Sequence, residues 1–217
     1  GGVDALLEQL RSQEQAACVI RDRSNASLRS KRLIVAAELQ ERLMDHLRPM
    51  GLANVRFEVA VEPSEPGESG ADAVCFLFSA NPGQPMAPLA EVASGGEMSR
   101  FLLALKTCLA EVDGSSTLLF DEIDTGVSGR VSGAMADLLR LLSRHRQVFC
   151  VTHQPLVAAA ADHHFRVSKD VCDGVTHSRV SQLRDTQERQ RELAELAGGE
   201  RREAEAYAAS LLDQKAA

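Results

Sequence analysis

Apolar positions along the first 47 residues recur at helical spacing. Leu6, Leu10, Ala17 and Ile20, then Leu28, Val35, Leu39, Leu43 and Leu47, form one narrow stripe, with Arg and Glu filling many of the positions between. From Val3 to His46 there is neither proline nor glycine, so the pattern predicts a long helix, with "SNAS" (Ser24 to Ser27) as the candidate break. Unbroken, such a helix reaches roughly 65 Å, longer than a domain of this size needs. The end of a coiled coil and a pair of helices packed on the domain both stay open. "RPMGL" ends the helix. "VRFEVAV" (Val55 to Val61) then alternates with period two, and "AVCFLFSA" (Ala73 to Ala80) follows a loop rich in acidic residues; together they predict an antiparallel hairpin with a long tip. "NPGQPMAP" (Asn81 to Pro88) is a turn-rich connection.

The helical period returns at "ASGGEMSR" (Ala93 to Arg100), after which Met98, Phe101, Leu102, Leu105, Leu109 and Val112 make one apolar face. Ser94 and Glu97 have the spacing of a capping box. Capping does not require Gly95 and Gly96, which lose much backbone freedom on folding, whereas a helix start whose N–H groups must meet an anion benefits from them. Capping alone and phosphate binding both fit these residues. Beyond this helix the pattern becomes strand, helix, strand. In "STLLFDEID" the run Leu118, Leu119, Phe120 predicts a central parallel strand covered on both faces. Val131, Met135, Leu138, Leu139 and Leu142 predict a crossover helix, and "QVFCVTH" the second strand, so the fold class is α/β with a parallel β-α-β core plus the hairpin. "HHFRVSK" and "THSRVSQL" predict two more short strands, and "ELAELAGG" with a charged helix closes the chain. The segment "GGERREAEAY" reads as a solvated helix without a role.

With 217 residues, 44% of them hydrophobic, the chain has enough material for one globular domain with an appendage. A net charge of -7 argues against coating nucleic acid by charge alone, so any DNA contact must be local or shared with other parts. Cys18, Cys75, Cys108, Cys150 and Cys172 are scattered and never spaced C-x-x-C, which fits reduced thiols better than disulfides or zinc. No apolar run approaches 18 residues and no signal peptide opens the chain, giving the expectation of a cytoplasmic protein without membrane contact. Gly1-Gly2 without Met points to a piece of something longer.

Asp121 and Glu122 end the first buried strand, the edge at which open α/β sheets bind ligands. An apolar strand closed by Asp-Glu has the form of a Walker B element, where the Asp holds Mg²⁺ and the Glu orients or deprotonates the attacking water. A solvated strand end is the bland alternative. His153 ends the second strand, and a right-handed crossover brings it to the same sheet edge as the acids. The P-loop motif G-x-x-x-x-G-K-[ST] is missing, since none of Lys31, Lys106, Lys169 and Lys215 follows a glycine.

"SGGE", "LLFDEIDTGVSG" and "VTHQPLVAAAADHHFRVSK", in that order, resemble the signature motif, Walker B, D-loop and switch histidine of an ABC-type ATPase head. "SANPGQP", "ASGGEMSR", "FDEIDTGVSGRV" and "HHFRVSK" resemble more specifically the C-terminal half of the RecN family of bacterial DNA repair proteins, an SMC-like group, over Arg29 to Gly199. Met98 stands where Leu is usual, and Gln154 where Leu is frequent. The resemblance implies a head assembled from both ends of one chain, so that the Walker A lies in an N-terminal half and the missing lysine is an expected absence. Asp121 would coordinate Mg²⁺, Glu122 would be the general base, and His153 would sense the γ-phosphate. Of the nucleotide-binding signature Ser94, Gly95, Gly96 and Glu97, the first three would contact the γ-phosphate of ATP held by a second head. Asp124, also at the nucleotide, would link the two active sites. Residues 1–47 would be the coiled-coil root and 48–217 the C-terminal half of the head.

On that basis the expected activity is ATP hydrolysis regulating DNA association in double-strand break repair, with ATP and Mg²⁺ as cofactors and this chain inactive alone. Implied partners are the N-terminal half, a second head in a homodimer, DNA and a RecA-like recombinase, with a nucleoid-associated cytoplasmic location. A non-catalytic coiled-coil module with a degenerate nucleotide fold is the alternative, although degeneracy would be expected to remove Asp121, Glu122 or His153. A membrane transporter's ATPase subunit would need a Walker A upstream, where this chain has a long helix and a hairpin.

Overall fold

The structure, a computed structural model, describes residues 2–91, 95–110, 112, 114, 116–121, 123–127, 129–172, 175–199 and 202–216. Two of the sequence-derived candidates, Ser94 and Glu122, lie outside the described residues. The chain forms two compact units, one of Gly1–Met44 with Asn54–Val92 and one of Asp45–Ala53 with Ala93–Ala217.

In the first unit, helix α1 (Gly2–Leu47) runs unbroken through "SNAS". Ser24 and Ser30 return their hydroxyls to the carbonyls of Ile20 and Ala26 one turn back, so these serines cap nothing and do not interrupt the helix. At about 1.5 Å per residue its 46 residues extend about 69 Å. Strands β1 (Arg56–Gly67) and β2 (Gly70–Ser79) form the predicted antiparallel hairpin, and the short β3 (Ala87–Pro88) adds to β2. The hairpin is tied to α1 by polar contacts. Arg29 and Arg32 both pair with Asp72, whose side chain is only 2% exposed, and they also donate to the carbonyls of Val61 and Ser69. Nearer the head of the hairpin, Val59 N–H donates to Gln40 Oε1 at 3.0 Å. Gly70, at φ +108, allows the tip to close against Leu28 and Arg32; a Cβ there would stand 2.8 Å from Leu28 Cδ2.

The second unit contains α2 (Gly96–Cys108), β4 (Thr117–Phe120), α3 (Gly129–Ser143), β5 (Gln147–Cys150), α4 (Pro155–Ala160), the hairpin β6 (His164–Cys172) and β7 (Val175–Leu183), α5 (Thr186–Leu196) and α6 (Arg202–Ala216). β4 and β5 pair in parallel in the register Leu119↔Phe149 and Phe120↔Cys150, with α3 as the crossover, as the sequence predicts. Met135, Leu138, Leu139 and Leu142 of α3 are buried, while Val131 is half-buried.

Three expectations are corrected. β4 is covered on one face only: Phe120 is buried, but Leu119 is 69% exposed, and Phe149 and Val151 share its open face. The apolar face of α2 is differently composed, with Leu103 and Ala104 fully buried and Leu102 and Val112 exposed. The terminal segment is not a solvated helix, because Ala204, Ala208 and Leu211 of α6 are buried against Ala158, Ala159, Leu193 and Ala194 of α4 and α5.

Candidate functional site at the ends of β4 and β5

The parallel pairing of β4 and β5 brings the residues that follow each strand to one sheet edge. Asp121 is exposed there, directly after Phe120. Val151 N–H continues the ladder by donating to Phe120 O at 2.9 Å, so Thr152 and His153 leave the sheet beside the acidic strand end. Glu122, the next residue in sequence after Asp121, lies outside the described residues.

Asp124 organises the edge. It is 1% exposed, and its Oδ2 accepts from the Thr152 hydroxyl, from His153 N at 2.9 Å and from Gln154 N at 3.3 Å. His153 Nδ1 lies 3.3 Å from the same oxygen, while its ring is 64% exposed. A carboxylate holding the backbone and ring of one histidine fixes the direction of the imidazole. His153 Nε2 in turn lies 3.4 Å from Gln154 Nε2, and both contacts suit the tautomer with the proton on Nδ1. Cys150, just before this turn, is pushed up to about 12 by burial and then by the charges of Asp124 and Asp121. At such a value the thiol is protonated at neutral pH.

The start of α2 meets the same loop. Its N-cap is Gly95, in extended conformation, and among the described residues no side chain caps it. Of the expected capping box, Ser94 lies outside the described residues, and the helix itself starts at Gly96. The two glycines do different things. Around Gly95 a Cβ would meet nothing among the described residues within 4 Å. At Gly96 a Cβ would stand 3.1 Å from Thr125 O and 3.2 Å from Arg100 Nη1, so the loop after β4 approaches the helix backbone closely. Glu97 is exposed in the first turn of the helix.

Arg100, which periodicity did not single out, lies one turn further along and is 8% exposed. Its Nη1 donates to Ile123 O and Thr125 O, each at 3.5 Å, and its Nε has no hydrogen-bond partner among the described residues. Burial pushes this guanidinium below its ordinary pKa, opposed by the charge of Glu97. Among the described residues no cluster of three or more His, Cys, Asp or Glu could by itself hold a metal. A single carboxylate such as Asp121 is nevertheless a normal protein share of a Mg²⁺ site whose remaining ligands are phosphate and water.

No family model matches the chain. Among curated proteins it is 48% identical over 198 residues to the DNA repair protein RecN of Synechocystis, a match covering 84% of this chain and 34% of that protein. With the RecN of Xylella fastidiosa it shares 37% identity over 211 residues, covering 96% of this chain and 38% of that protein. The chain thus spans about a third of the length of these relatives. Among solved structures it resembles the Smc head domain with coiled coil and joint from Pyrococcus yayanosii, at TM-score 0.56 and 21% identity over 82% of this chain and 32% of that one. It also resembles the Smc head domain with an extended coiled coil, bound to the C-terminal domain of ScpA, from Pyrococcus furiosus, at TM-score 0.53 and 18% identity over 81% of this chain and 42% of that one. At these identities the structural likeness establishes a mixed α/β head fold with a long N-terminal helix.

Proposed function

Because the chain is a homologue of RecN over most of its length, we propose that it forms the C-terminal half of an ATP-hydrolysing head that regulates DNA association during double-strand break repair. The observation that carries this reading is the shared edge of β4 and β5, where Asp121 and an Asp124-oriented His153 both leave the sheet. The α2 start packs against the same loop through Gly96. In this reading Asp121 holds Mg²⁺, which neutralises phosphate charge when bound, Glu122 takes a proton from the attacking water, and His153 contacts the γ-phosphate. The mouth of α2, with Ser94, Gly95 and Gly96, receives a phosphate of ATP held by a second head, and the positive end of the helix dipole favours that anion.

Residues 1–47 act as the coiled-coil root. Val3, Leu6, Leu10 and Ile20 are all exposed on a stretch of α1 that leaves every large apolar side chain of its first 24 residues in solvent, as suits a helix awaiting a partner helix. Residues 48–217 supply the head, and a missing N-terminal half supplies the Walker A. The open face of β4 and β5 is where that half docks. The decisive assay measures ATP hydrolysis by this chain before and after adding the separately made N-terminal half. Activity should appear only on mixing, and Glu122→Gln should reduce it roughly 10²- to 10⁴-fold while nucleotide binding persists. A folded mixture that stays inactive would favour a non-catalytic interaction module.

A further inference from the structure

A buried guanidinium with long contacts is a costly thing to keep in a core. Arg100 has one donor nitrogen unpartnered among the described residues and shares its Nη1 between two carbonyls at 3.5 Å, where a Met or Leu of similar reach would pack without desolvating a charge. What distinguishes the position is the pair of carbonyls it holds. Ile123 O and Thr125 O flank Asp124, so Arg100 grips the backbone on both sides of the residue whose carboxylate holds Thr152, His153 and Gln154. On the helix side, Gly96 lies one turn before Arg100, and its missing side chain lets Thr125 O sit against the first turn.

From this chain of contacts we propose that Arg100 is a positioning residue that couples the mouth of α2 to His153, acting through the Ile123–Thr125 backbone and the Asp124 carboxylate. Movement of the α2 start, when an anion engages it, is transmitted to the loop by the Arg100 fork and the Gly96 contact. The loop carries Asp124, and Asp124 sets the direction of the imidazole. The catalytic consequence rests on the ATP-hydrolysing reading above; the mechanical link stands on the geometry alone.

The test uses the full-length protein with its Walker A half, comparing wild type with Arg100→Met and Arg100→Lys. Arg100→Met removes the fork but fills the space, so a packing role predicts no loss. Coupling predicts a melting temperature no lower than wild type, KM for ATP within twofold, kcat reduced tenfold or more, and partial recovery of kcat in Arg100→Lys. It also predicts amide hydrogen exchange at His153 and Gln154 several-fold faster in Arg100→Met. Wild-type kcat in a folded Arg100→Met, or unchanged exchange at those two amides, overturns the proposal. If Arg100→Met does not fold, Arg100→Lys carries the test, and wild-type kcat and exchange in it overturn the proposal equally. If the wild-type protein hydrolyses no ATP, the ATPase reading fails by itself, and the exchange comparison still decides the coupling.

Discussion

At one oxygen of Asp124, a hydroxyl, two backbone N–H groups and a ring nitrogen converge, in a residue that is almost fully buried. Removing that acceptor takes away the partner of the part-buried His153 N–H and of the Thr152 hydroxyl, while Gln154 N–H keeps Thr152 Oγ1 at 3.0 Å, and an orphaned donor costs about 1–3 kcal/mol. Asp124→Ala should therefore lower the unfolding free energy by about that amount in urea titration, and Asp124→Asn, which retains an acceptor oxygen, by distinctly less. Equal losses in the two variants would mean that the charge, not the accepted bonds, matters. The adjacent glycines separate in the same way. Gly95→Ala meets nothing among the described residues within 4 Å of its Cβ and should leave the melting temperature unchanged, whereas Gly96→Ala must displace the Thr125 carbonyl and should lower it. A capping role for the pair would make both substitutions alike.

Among elements, the junction of α1 with the β1–β2 hairpin depends on charge. Burial pushes the Asp72 carboxyl up, but hydrogen bonds from Arg29 and Arg32 and their charges outweigh it and hold Asp72 below its ordinary 3.8. A depressed carboxyl stabilises the folded state above its unfolded pKa and loses that contribution as the pH falls through its folded pKa. Asp72→Asn should accordingly melt at lower temperature than wild type at neutral pH, and the two should converge below the ordinary carboxylate range. A pH-independent difference would remove the ion pair as the cause. Elements of this kind were legible because their signals are local: α1 shows in an uninterrupted helical run, the hairpin in its alternation, and β4-α3-β5 in a short apolar strand on each side of an amphipathic helix. What escaped was set by neighbours distant in sequence. Leu102 and Leu103 are indistinguishable by composition, and the packing around α2 decides which is buried. α6 hides its buried edge in small residues, Ala204 and Ala208, among charges. Within the site, the strand-end acid and His153 could be read from the β-α-β pattern. Arg100 could not, since its partners lie 23 and 25 residues away and no periodicity connects them.

For the molecule as a whole, the question is what covers the apolar surface it leaves open. Along β4 and β5, Thr117, Leu119, Gln147, Phe149 and Val151 alternate outward, and their inward neighbours Leu118, Phe120, Val148 and Cys150 are at least half-buried. On β6 and β7, Phe165, Val167 and Val171 share an exposed face with Val180, the cross-strand partner of Val167. Two-stranded sheets are marginal alone, and contiguous exposed apolar side chains of this kind mark an interface. In the proposed head it is the N-terminal half that would cover them. Fully burying one leucine contributes about 1.5–3 kcal/mol, so a single substitution on this face should be readable. Leu119→Lys should leave the chain by itself within about 0.5 kcal/mol of wild type, because that side chain is already 69% exposed. The same change should weaken association with the N-terminal half tenfold or more in a titration followed by calorimetry, since about 1.4 kcal/mol corresponds to a factor of ten. Unaltered association would place the docking surface elsewhere. Loss of stability in the isolated chain would instead show that Leu119 is already covered by this chain's own residues.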